Sequence, residues 1–131
     1  MNRTLNKRRL LKLADFLEHE VKPHWFDLLS FASEGFLKRE CGSTACALGW
    51  APTCFPRSGL SLNQSFPAFR YTPKGGGRRH GGYAAAEVFF GLSDEQSSYL
   101  FSPPSYEPKR RGRMAVVRRI RSFVKNNGFV R

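Results

Sequence analysis

Three cysteines and three histidines are the side chains best suited to covalent or metal chemistry in this chain of 131 residues. Two of the cysteines fall in one decapeptide, Cys41-Gly42-Ser43-Thr44-Ala45-Cys46-Ala47-Leu48-Gly49-Trp50. Cys54 follows it, and His80 stands in a glycine-rich stretch further on. Three chemistries fit these residues. A thiol just ahead of a helix N-terminus feels the positive end of the helix dipole, which lowers its pKa. Cys41 or Cys46 could then act as a nucleophile, with His80, His19 or His24 as the base. Alternatively, Cys41, Cys46, Cys54 and His80 could supply four zinc ligands, although the spacing lacks the paired C-x₂₋₄-C and H-x₃₋₅-H pattern of strong zinc sites. The third reading is packing. Gly42, Ala45 and Gly49 would allow close helix approach, while Cys46, Leu48 and Trp50 fill space beside it. Packing is favoured, with the nucleophile and the zinc module as alternatives. A Cys41–Cys46 disulfide fits poorly. On one helix their Cα atoms would lie roughly 8–9 Å apart, beyond the reach of such a bridge.

The elements that must position these residues are mostly helical. Leu10, Leu13, Ala14, Leu17 and Val21 repeat at helical spacing and predict a helix over 4–21, with Thr4 as N-cap and Pro23 as terminator. Residues 25–32 read as a short buried helix. Residues 43–51 read as another, capped by Ser43 and stopped by Pro52. Over 52–82 the prolines and glycines predict a long basic loop, with at most a small hairpin near Phe69-Arg70-Tyr71-Thr72. Residues 83–90 return to helix and end at Gly91. Ser93-Asp94-Glu95-Gln96 is a capping box that opens a helix through Leu100. A last helix over 111–126 carries Val116, Val117, Ile120, Phe123 and Val124 as one stripe, closed by Asn126-Asn127-Gly128. The expectation is a mainly α single domain over 1–131. It has five or six short helices, a loop excursion at 52–82 and a basic C-terminal helix within 109–131.

Charge adds a second theme. The formal net charge is +12. Residues 1–12 hold five basic side chains, 70–79 hold four and 109–131 hold nine, and none of these segments contains Asp or Glu. Such blocks attract polyanions. The candidate contacts are Arg8, Lys12, Arg78, Arg79, Arg118, Arg121 and Lys125. Gly75-Gly76-Gly77-Arg78-Arg79-His80-Gly81-Gly82 lacks both the dinucleotide and the P-loop patterns, and reads as a basic strap leading into a helix N-terminus that could hold phosphate. No run of apolar residues is long enough to cross a membrane, and no signal-peptide core or transit pattern is visible in the first twenty residues. The odd cysteine count points to a reducing cytosol. No cofactor and no recognised DNA-reading motif is implied.

Phe26-Asp27-Leu28-Leu29, the Cys41–Trp50 decapeptide, Ala85-Ala86-Glu87, Phe90-Gly91-Leu92-Ser93 and Leu100-Phe101-Ser102-Pro103 form a recognisable series. It resembles an uncharacterised family of small phage and mobile-element proteins built on a Cys-Gly-Thr/Ser-x-x-Cys-x-x-Gly-Trp core. The likeness covers about residues 25–104, with departures at Ser43 and at Phe90, where leucine is usual. The resemblance implies a phage or plasmid accessory context in the cytoplasm of a bacterial host, and no reaction. The combined expectation is a small basic protein that binds nucleic acid or an acidic host protein surface without catalysis.

Overall fold

A computed structural model describes residues 5–26, 46–62 and 69–128. Helix α1 spans Lys7–His19, α2 Ala47–Cys54, α3 Tyr83–Phe90, α4 Asp94–Phe101 and α5 Arg113–Lys125. Strands β1 (Leu60–Leu62), β2 (Phe69–Tyr71) and β3 (His80–Gly81) lie between α2 and α3. Asn6 caps α1, its side chain accepting from the Arg9 amide at 3.0 Å. Thr4, expected in that role, lies outside the described residues. Leu10, Leu13, Ala14, Leu17 and Val21 are all buried, as their spacing requires.

α1 packs most extensively on α5. The start of α5 meets the end of α1, where Arg113 reaches the Leu17 and Glu18 carbonyls. Its end meets the start of α1, where Lys7 reaches Asn127, so the two helices run antiparallel. On α5 the stripe Val116, Val117, Ile120, Phe123 and Val124 is buried. The helix closes with the Gly128 amide donating to the Phe123 carbonyl at 2.9 Å. Between α3 and α4, Gly91 takes the left-handed conformation (φ 70°), which ends one helix. The reciprocal Ser93–Gln96 capping box then starts the next.

Three expectations are corrected. Trp25 ends a single 3₁₀ turn begun by Pro23, and Phe26 is extended, so no helix starts at residue 25. Residues 27–32 lie outside the described residues, as does Ser43. Pro52 does not stop α2. Its missing N–H leaves the Leu48 carbonyl without that helical bond, yet the Phe55 amide still donates to Ala51 at 2.9 Å, and buried Cys54 and Phe55 hold the last turn against the core. Finally, the chain after α2 builds a three-stranded antiparallel sheet, ordered β1-β2-β3, rather than at most a hairpin. Leu60 faces Tyr71, Leu62 faces Phe69, and Tyr71 faces His80. Buried Phe69 and Tyr71 anchor β2 under α3. Gly59 makes the entry to β1 possible. Its φ is +96°, and a β-carbon there would sit 2.0 Å from the Thr72 carbonyl oxygen.

The sheet, α2 and α3 meet in an aromatic cluster. Phe89 contacts Phe55 at 5.0 Å, Tyr71 at 5.1 Å and Phe90 at 4.9 Å between ring centroids, all edge to face. This cluster forms the floor of the surface described next.

Candidate anion-binding surface

The basic side chains divide into those committed to the fold and those presented to solvent. Arg119 is the clearest of the committed set. Its Nη1 donates to the carbonyls of Tyr99 and Ser105, both at 2.9 Å, and its guanidinium lies 4.3 Å from the Tyr99 ring centre and 3.7 Å from that of Tyr106. The Tyr99 carbonyl belongs to the last turn of α4, where helical partners run out, so Arg119 acts as a C-terminal cap from a distant helix. Tyr106 is buried and donates to the Leu100 carbonyl at 2.7 Å. Burial holds its phenol far above the ordinary range, partly countered by Arg119. Arg113 does for α1 what Arg119 does for α4, donating to Leu17 at 3.3 Å and Glu18 at 3.0 Å.

Arg121, expected as a charge contact for a partner, is instead engaged within the molecule. Its Nη2 donates to Asp15 Oδ1 at 2.8 Å and Glu18 Oε1 at 2.7 Å. The hydrogen bond from Arg121 lowers the Glu18 pKa below 4.5, and Glu18 and Asp15 raise that of Arg121. The reason is the packing of α1 on α5, which brings the two acids of α1 to this one arginine.

The remaining candidates are solvent-facing. Arg8 and Lys12 are exposed on α1, Arg118 and Lys125 on α5, and Arg78 and Arg79 just before β3. Among the described residues none of the six pairs with a carboxylate. The Gly75–Gly82 strap is shorter than expected as a loose segment, because His80 and Gly81 pair with β2 and Gly82 caps α3.

Two basic hollows indent the surface. The larger, about 760 Å³, is lined by Lys109, Arg110, Arg118 and Arg119 beside Glu107. Its charge is offset by that carboxylate, which Arg110 meets at 3.8 Å. The other, about 490 Å³, is lined by Arg9 and Lys12 of α1, Arg57 of the α2–β1 turn and Lys74 after β2, with no Asp or Glu among its described lining residues. Its cations rest on the aromatic floor. Arg9 sits 4.1 Å from the Phe89 ring centre and its Nη1 donates to the Phe89 carbonyl at 2.7 Å, while the Lys12 ammonium lies 5.2 Å from Phe55. Of these four only Lys12 stands out in the sequence as a candidate. Arg9 was hidden by its half-buried place on α1, and Lys74 by its distance from the Arg78-Arg79 pair. Arg57 had one readable signal. It follows Pro56 at a turn position that ordinarily takes glycine.

The sulfur chemistry does not assemble among the described residues. Cys46 is the N-cap of α2 and 5 % exposed, and Cys54 is equally buried. The Cys54 thiol donates to the Lys12 carbonyl at 3.7 Å, and burial pushes its pKa up to about 11, opposite to what a nucleophile needs. His80 is half-exposed on β3, and no group of three His, Cys, Asp or Glu side chains suited to a metal occurs among the described residues. Cys41 and Gly42 lie outside them. Gly49 and Trp50 are buried. Trp50 stacks on Trp25 at 6.2 Å and donates to its carbonyl at 3.2 Å. No described helix is long and apolar enough to cross a membrane.

Comparison of the chain with protein-family models, with curated proteins and with solved structures found no match in any of the three.

Proposed function

We propose that this chain is a small basic accessory protein that binds a polyanionic partner, nucleic acid or an acidic protein surface, without catalysis. The observation that carries the reading is the hollow lined by Arg9, Lys12, Arg57 and Lys74, with no acid among its described residues. Solvent-facing Arg8, Arg78, Arg79, Arg118 and Lys125 support it, since exposed cations with no carboxylate partner among the described residues raise the local potential and steer anions inward. The resemblance to phage and mobile-element proteins supports host nucleoprotein machinery as the setting.

Nucleic acid is the version tested first, because phosphate contacts need no sequence readout. A variant with Arg78, Arg79 and Arg118 changed to Ala should weaken DNA and RNA binding to a similar degree across unrelated sequences, with melting unchanged. Equal affinity of variant and wild type would count against the reading. Capture of host partners with and without nuclease then separates a nucleic-acid ligand from a protein one. The alternative, a cysteine-dependent enzyme using Cys41 or Cys46, has no observation in its favour among the described residues, where Cys46 is buried at the start of α2 and Cys41 lies outside them.

A further inference from the structure

We propose that the hollow of Arg9, Lys12, Arg57 and Lys74 is a site for a phosphate monoester, carried by the end of a nucleic-acid strand or by a free mononucleotide. In its strand form this rests on the polyanion reading above and deepens it.

Arg57 is the decisive residue. Its φ is 65°, in the left-handed region that a side chain with a β-carbon rarely adopts. The other such residue among those described, Asn127, is of a type that tolerates the conformation and closes α5. Arginine has no such excuse. Strain of this kind persists where the side chain is needed, and here Arg57 lines a concave surface with no carboxylate among its described residues. Arg9 and Lys12 are already oriented by Phe89 and Phe55, so little ordering remains to be done on binding. A volume of about 490 Å³ suits one nucleotide. Charge narrows the choice further. A backbone diester carries one negative charge, whereas a terminal monoester approaches two, closer to what several converging cations can neutralise. The floor rings Phe55, Tyr71 and Phe89 are buried, and Lys12 and Arg9 lie over Phe55 and Phe89, which leaves no open face for base stacking. Recognition should therefore be indifferent to the base.

The test is fluorescence anisotropy with one short single strand carrying a 5′-phosphate, a 3′-phosphate or only hydroxyl ends, and with mononucleotide as competitor. A phosphorylated end should bind about tenfold tighter than hydroxyl ends, the factor supplied by one added charged hydrogen bond. Arg57→Gly should erase that preference while melting at or above the wild-type temperature, because glycine adopts the positive φ without strain. Lys74→Ala should reduce the preference without touching the turn. Mononucleotide competing as well as the phosphorylated strand would identify free nucleotide as the ligand, and weaker competition would identify the strand end. Strand binding with no preference for a phosphorylated end, or a preference that survives in Arg57→Gly, would overturn the site while leaving polyanion binding intact. Mononucleotide binding without strand binding would uphold the site and sink the broader reading.

Discussion

Replacing Arg119 with Met should destabilise this protein strongly, although Arg119 sits in a run of arginines that looks interchangeable in the sequence. The substitution removes a guanidinium that donates to Tyr99 and Ser105 at 2.9 Å and lies between the Tyr99 and Tyr106 rings. The Ser105 hydroxyl lies 2.9 Å from the Tyr99 carbonyl and 2.7 Å from that of Ser102, so its single proton is shared and only partly replaces the lost donor. A hydrogen bond to a charged group contributes about 1.5–3 kcal/mol and a half-desolvated cation–ring contact about 1 kcal/mol. These terms overlap, and methionine restores some packing, so a net loss of about 2–4 kcal/mol follows. For a domain of this size that lowers the melting temperature by about 6–15 °C. Thermal unfolding by circular dichroism reads it directly, with Arg118→Met as the control. Arg118 is exposed and unpaired among the described residues, so its loss should change stability by no more than about 0.5 kcal/mol. An Arg119→Met melting temperature within about 2 °C of wild type would refute the division of the arginines into structural and presented sets.

Trp50→Ala should cost about 3–5 kcal/mol, since Trp50 is buried against Trp25, and an unchanged melting temperature would contradict that burial. The raised Cys54 pKa means that its protonated form is favoured by folding. The resulting stability is present below the unfolded thiol value of 9.0 and is lost as pH rises through about 11. Wild type should therefore lose more stability than Cys54→Ala between those values in denaturant titrations, and Cys54 should alkylate slowly at neutral pH in mass-spectrometric mapping. Rapid labelling would revive a reactive-thiol role. The Glu18 carboxyl should titrate below 4.5 by NMR and move up toward it in Arg121→Met. Its stabilising effect holds above that value and fades as the pH falls through the lowered pKa.

The helices whose ends are written in local chemistry were legible from residue order. Gly91 supplied a left-handed stop, Ser93 and Gln96 a reciprocal cap, and the α1 and α5 stripes a 3.6-residue period that burial reproduces. Of the sheet only β2 was legible, in the alternation of Phe69-Arg70-Tyr71; its neighbours are too short to read, and β3 contains only His80 and Gly81. Pro52 misled because a proline inside a helix forfeits one bond, and surrounding burial can absorb that. The charge segregation was legible, but the role of each cation was not. Arg118, Arg119 and Arg121 are near neighbours in sequence, yet one faces solvent, one caps α4 and one meets the acids of α1. The 490 Å³ hollow draws on four chain segments, so only tertiary packing reveals it.

The most direct test of polyanion binding is the salt dependence of affinity for a single-stranded oligonucleotide, measured by anisotropy at 50 and 200 mM salt. With four phosphate contacts the affinity should fall about 50-fold across that range. Absence of binding at the lower salt, or an affinity that does not change between the two, would contradict it.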